Sequence, residues 1–144
     1  MKKSVMILAS LMIALCACAD RHQMIEYAQL PVQAQAFVQK YFNQADVAYI
    51  EREHDNLQLE YNVHMKDATE IDFDREGHLK SVDCQRKALP DGIVPTLIMQ
   101  YVGLHHPKQI VTEYVIDYRT QKVELNNEIE LIFDMEGHFL RMDD

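Results

Sequence analysis

Acidic and histidine residues gather twice in this sequence at spacings that could hold a cation. Asp72, Asp74, Glu76 and Gly77, with Asp83 at the twelfth position, follow the outline of a calcium loop. Calcium takes about six to eight oxygens converging on one point, normally from a loop between two helices. Here the acids alternate with Ile71 and Phe73 in a strand pattern, which places Asp72 and Asp83 on opposite faces of a hairpin. The second gathering, Asp134, Glu136, Gly137 and His138, has Ile132 where the first has Asp72. Both read as an acid-rimmed turn without a bound metal. His78 and His138 flank these turns, and His105 and His106 end a helix; zinc needs about three or four such groups together. No metal ligand and no cofactor is assigned.

Catalytic signatures are missing as well. A glycosidase-like pair of carboxylates needs a cleft that sets their separation. No serine or cysteine nucleophile pattern and no glycine-rich phosphate loop occurs, and the chain has 4 glycines. The expectation is a protein that is not an enzyme, with no catalytic residues.

The elements that carry these residues come from a duplication. Phe73 to Leu79 returns as Phe133 to Phe139, Asp83 returns as Asp143, and Pro31 with its apolar run returns at Pro95. Each copy opens with a helix. Ala34, Phe37, Val38 and Tyr41 follow Pro31 at helical spacing, and Ile98, Tyr101, Val102 and His105 follow Pro95. Asn43 and Pro107 close the two helices.

Strands follow. Leu57, Leu59, Tyr61, Val63 and Met65 alternate with polar residues, as do Thr69, Ile71 and Phe73, and Ile129, Leu131 and Phe133. Val47 to Glu53 and Ile110 to Tyr118 precede them, and His78 to Asp83 and His138 to Asp143 close each copy. The fold class is α+β, two tandem αββββ repeats, each a helix packed on a four-stranded antiparallel meander. Repeat 1 is predicted over 30–84 and repeat 2 over 85–144.

Paired residues in an antiparallel sheet share a face, so Val63 should oppose Ile71. That leaves the three-residue loops Lys66-Asp67-Ala68 and Asn126-Asn127-Glu128. The next loop is Arg75-Glu76-Gly77. It sets Asp74 against His78, Asp72 against Lys80, Asp134 against His138 and Ile132 against Leu140.

The face turned away from the helices is the candidate functional surface. In repeat 1 it carries Gln58, Glu60, Asn62, His64, Glu70 and Asp72. In repeat 2 it carries Glu124, Glu130, Ile132, Leu140 and Met142, acidic around an apolar centre. Ile132, Leu140, Met142, Glu130, Glu70, Asp72 and His64 form the expected interaction face. An apolar centre with a polar rim suits a neutral or basic protein or peptide. The expected function is therefore non-catalytic binding in the cell envelope. The alternative is a small ligand-sensing or structural envelope module that binds a solute between the repeats.

The start of the chain reads as an export signal. Lys2 and Lys3 precede the apolar stretch Val5 to Leu15, which is too short for a stable span. Leu15-Cys16-Ala17-Cys18 resembles a lipobox with Cys18 lipidated, whereas Ala17-Cys18-Ala19 suits cleavage after Ala19. The signal is predicted over 1–18 and a tether over 19–29. Export to the periplasm, or to the outer membrane on a lipid at Cys18, is expected, and membrane contact only through that anchor. The leader holds 2 of the 14 basic residues and no acids, so the formal charge of −9 becomes −11 without it. Such a charge argues against nucleic acid as a partner. In the body only Cys84 remains, which cannot form an internal disulfide.

Leu30-Pro31, Tyr61-Asn62-Val63, Glu70-Ile71-Asp72-Phe73-Asp74-x-x-Gly77 and Val82-Asp83-Cys84 together resemble the PepSY-like, beta-lactamase-inhibitor-like family of exported Bacteroides-type proteins. The resemblance covers nearly all of the chain after the leader, in both copies. It implies tandem helix-plus-sheet units similar to the secreted beta-lactamase inhibitor protein, whose sheet grips an enzyme, and so an inhibitor-like role. Ala68 and Glu128 depart from the family pattern, which has glycine in that tight loop.

Overall fold

The computed structural model describes residues 22–55 and 58–144. Cys18, the rest of the export signal and Leu57 therefore lie outside the described residues. Each helix begins directly after its proline, where the missing N–H costs no hydrogen bond. Helix α1 spans Val32–Tyr41 and α2 spans Thr96–His105. Phe42 and His106, one residue before the expected stops, cap them through their N–H groups to Val38 and Val102.

Around the helices run nine strands: β1 (His22–Met24), β2 (Val47–Asp55), β3 (Gln58–Met65), β4 (Glu70–Phe73), β5 (Leu79–Asp83), β6 (Val111–Ile116), β7 (Thr120–Leu125), β8 (Glu130–Asp134) and β9 (Phe139–Asp143). They form one antiparallel sheet in sequence order, β1 to β9. The two copies thus share a sheet, joined where Ser81, Val82 and Asp83 of β5 pair with Val115, Tyr114 and Glu113 of β6. The segment read as a tether holds edge strand β1, which pairs with β2 through His22 and Glu53.

Register places one apolar row straight across the sheet. Ile50, Val63, Ile71, Val82, Tyr114, Val123 and Leu131 pair in succession, and all are buried. Both helices lie on this face. Phe37 meets Phe73 edge-on at 5.6 Å and Tyr101 meets Phe133 edge-on at 5.4 Å, the same helix-to-sheet contact made twice. The connection from β5 to α2 adds buried Leu89, Ile93 and Val94 to the core.

The turns have the expected lengths. Met65 pairs across its loop with Thr69, and Asp74 with His78. Ala68 and Glu128 adopt left-handed φ of 70° and 67°. That conformation costs an L-residue about 1–2 kcal/mol. Asp67 steadies the first of these loops by accepting from Thr69 N and from Lys87. Those bonds, the lysine's above all, hold its carboxyl at about 2 rather than 3.8.

One part of the expected register is wrong. A bulge lies between Asp72 and Phe73, and again between Ile132 and Phe133. Asp72 therefore pairs with Ser81 rather than Lys80, and Ile132 with Arg141 rather than Leu140. Asp83 pairs with Glu70, which puts Asp72 and Asp83 on the same face. Met142 pairs with Leu131 and so belongs to the helix side rather than the open face. The cause is the spacing of Leu79 and Val82. They stand three apart, yet pair with core residues Phe73 and Ile71, which strict alternation forbids and an extra residue allows.

Gly77 and Gly137 occupy equivalent left-handed positions but differ in surroundings. A Cβ on Gly77 would stand 2.7 Å from Pro31 Cβ and 2.9 Å from Ala34 N, against 3.3 Å from Leu97 Cβ for Gly137. The first clash is with the start of a helix, which cannot give way. Gly77→Ala should cost about 2–4 kcal/mol and Gly137→Ala about 1–2 kcal/mol in urea unfolding. A larger loss at Gly137 would show that α1 does not sit on this turn.

Candidate functional site

The open face is organised by the same register as the core. One residue along from the apolar row, a second row reads Tyr49, His64, Glu70, Asp83, Glu113, Glu124, Glu130 and Asp143, each paired with the next. On the other side of the core row lies Glu51, Asn62, Asp72, Ser81, Val115, Lys122, Ile132 and Arg141. Both helices are on the opposite side, and no described element covers these rows. A depression of about 560 Å³ crosses the junction of the repeats, with Ser81, Val115, Ile132, Lys122 and Arg141 in its lining.

The expected interaction residues fall into three groups. His64 stacks on Tyr49 at 4.3 Å, with Glu51 3.4 Å from its Nε2 and Glu70 3.6 Å from its Nδ1. Asp72 accepts from Asn62 at 2.8 Å and Ser81 at 2.7 Å, and Glu130 accepts from Lys122 at 2.7 Å. Ile132 lies on the open face but is only 5% exposed, while Leu140, beside the bulge, is 51% exposed. Met142 is 54% exposed for a different reason: it ends the core row on the last strand, beyond which no described element packs.

Burial and neighbouring charges together shift the titratable groups at the centre of this face. Burial, then Glu124 and Asp83, raise the Glu113 carboxyl despite the opposing effect of Lys122. Burial disfavours the charge on Lys122, but Glu130, Glu113 and Glu124 outweigh it and raise its pKa. Lys122 Nζ lies 2.7 Å from Glu130 and 3.9 Å from Glu113. Arg141 pairs with Asp143 at 3.3 Å, and Lys80 with Glu60.

Residues 17–60 and 59–141 match the family described as "Putative beta-lactamase-inhibitor-like, PepSY-like". The chain belongs to this PepSY-like family. Several solved structures share its fold, among them three Bacteroides proteins. A "putative calcium-regulated periplasmic protein" of Bacteroides thetaiotaomicron is 31% identical with a TM-score of 0.83, covering 88% of this chain and 99% of its own. A "putative periplasmic protein" of Bacteroides vulgatus, from the DUF2874 family, is 30% identical with a TM-score of 0.82 and the same coverage. Another from Bacteroides vulgatus, of unknown function, is 28% identical with a TM-score of 0.81, covering 85% of this chain and 99% of its own. No curated protein matches the sequence.

In this PepSY-like chain the two turn clusters, Asp74-Glu76-His78 and Asp134-Glu136-His138, do bring possible ligand atoms within 4.8 Å of one another. Their aspartates are already engaged. Asp74 Oδ1 accepts from the N–H groups of Glu76 and His78 at 2.9 and 2.8 Å, and Oδ2 lies 3.0 Å from His78 Nδ1. Asp134 makes the same three contacts. These bonds lower Asp74 against the opposing effect of burial, and lower Asp134, whose largest bond is from the His138 N–H. The arrangement is a capped turn that keeps its aspartate ionised.

Asp83, Glu113, Asp143 and Val115 are among the open-face residues that sequence reading missed, with Ser81, Lys122 and Arg141. The three-residue step from Leu79 to Val82, repeated from Phe139 to Met142, is the signal that reveals the bulge and with it Asp83 and Asp143. Glu113 carries a raised pKa, so its contribution to stability is present below its unfolded value and is lost as pH rises through the folded one. Glu113→Gln should therefore stabilise the fold at neutral pH by about 0.5–1 kcal/mol. Denaturant unfolding across pH should show that advantage closing as pH falls towards 4.5, the ordinary glutamate value. A constant advantage would mean that the folded protein does not raise the Glu113 carboxyl.

Proposed function

We propose that the protein is a non-catalytic binding protein of the bacterial periplasm that holds a protein or peptide partner on its open sheet face. The observation that carries this reading is an uncovered face with an apolar floor, Val115 and Ile132, set among charged residues, with exposed Leu140 next in the chain to Arg141 of the same depression. Such a centre with a polar rim is the composition of a protein-binding surface. The similar Bacteroides proteins, two described as periplasmic and one as periplasmic of unknown function, support the location. The family description supports inhibition of an enzyme as the form that binding takes. A lipid on Cys18 would hold the protein at the membrane surface.

A small solute in the depression is the weaker reading. Lys122 and Arg141 of its lining are each committed to a carboxylate, and so is Lys80. An anionic solute would have to displace those partners, whereas a protein surface can span the depression and its rim together.

Leu140→Asp places a charge on the exposed flank without touching the core. Affinity capture from envelope extract, with circular dichroism to verify folding, should show wild-type partners reduced about tenfold or more on the variant. Equal capture of the same proteins by both would remove the open face as the binding surface.

A further inference from the structure

On the reading of the open face as a binding surface, we infer that its partner is a protein segment rich in lysine or arginine, laid across the strands along Glu70, Asp83, Glu113, Glu124, Glu130 and Asp143. These six residues pair in sequence from β4 to β9. With neighbouring strands about 4.8 Å apart, their carboxylates make a line of roughly 24 Å. Five successive cross-strand pairs in it set like charges directly opposite, which weakens a sheet. The fold gains nothing from that arrangement, so its use lies elsewhere.

Compensation among the described residues is incomplete. Lys122 serves Glu130 and Glu113, and Arg141 serves Asp143. Among the described residues Glu124 and Asp83 meet no cation within ion-pair distance, and Glu70 meets only His64. The apolar floor of Val115 and Ile132 runs alongside, two residues along the strands from the acid row. Two residues of strand are about 7 Å, within reach of one extended segment. Basic side chains on one flank of the segment and an apolar one on the other would match both rows. The two copies differ in a way that favours the same partner: repeat 2 has the apolar floor, and the acid row continues from repeat 1 into it.

A divalent cation fits less well. Calcium requires about six to eight oxygens around one point, and a straight line of carboxylates at strand spacing does not converge. An anionic membrane surface is repelled by the row.

Fluorescein-labelled octalysine, with labelled octaglutamate as control, tests the row on the mature protein by fluorescence anisotropy. Wild type should bind octalysine, more weakly as salt rises, and should not bind octaglutamate. Glu113→Gln/Glu124→Gln should weaken octalysine binding about tenfold. Glu76→Gln/Glu136→Gln, with the same change in net charge at the exposed turns, should weaken it less than about twofold. Equal loss in both double variants would reduce the effect to net charge and overturn the inference. Displacement of octalysine by calcium, but not by magnesium at the same ionic strength, would assign the row to a metal and also overturn it. Both failures leave the open-face reading intact, because that reading is tested by capture on Leu140→Asp.

Discussion

Everything else in this structure depends on one buried row of side chains that runs across the sheet. Ile50, Val63, Ile71, Val82, Tyr114, Val123 and Leu131 are held in line by cross-strand pairing and covered by two helices. An antiparallel register cannot slip by one residue without moving this row into water. The row therefore fixes its neighbours on both sides, which face the other way. The acid row and the row containing Ile132 are consequences of the core, set by the same hydrogen bonds.

The join between the repeats extends that constraint over the whole molecule. Two separate four-stranded meanders would each present an acidic patch of their own. Pairing of β5 with β6 aligns the patches, so that Asp83 of one copy stands against Glu113 of the other. A line of like charge results, and Glu124 and Asp83 add to the burial that raises Glu113, while Lys122 opposes them. Burial of the apolar row is large enough to impose this crowding. Each like-charge pair costs only a fraction of about 1 kcal/mol, whereas each buried aliphatic side chain contributes about 1.5–3 kcal/mol.

Duplication leaves its mark in the irregular features as well as the regular ones. Bulges recur at Asp72/Phe73 and Ile132/Phe133, and at Val47/Tyr49 and Val111/Glu113. The left-handed residues at Ala68 and Glu128, and at Gly77 and Gly137, recur too. The copies differ in parts of the core, where Ala34 corresponds to Ile98 and Tyr61 to Gln121, and more widely on the surface. Polar Gln33, Gln35 and Lys40 on α1 correspond to exposed Leu97, Met99 and Leu104 on α2. Asp72 corresponds to Ile132 on the open face, so the repeats keep one scaffold and differ in what they present.

The amino-acid sequence determined the helices, the strands of each copy, the loop lengths and the strained residues in the loops. Those follow from local causes: helical and two-residue periodicity, proline at a helix start, and glycine at a left-handed turn. It also contained the bulge, in the three-residue step from Leu79 to Val82, but alternation alone conceals a step that only a paired neighbour makes necessary. Alternation thus puts Met142 on the wrong face and hides Asp83 and Asp143. Tertiary structure alone decided that both copies share one sheet, that the segment before α1 supplies an edge strand, and that carboxylates from six strands fall in line. The reason is physical: those outcomes rest on pairing between residues far apart in the chain, about which neither periodicity nor composition carries information.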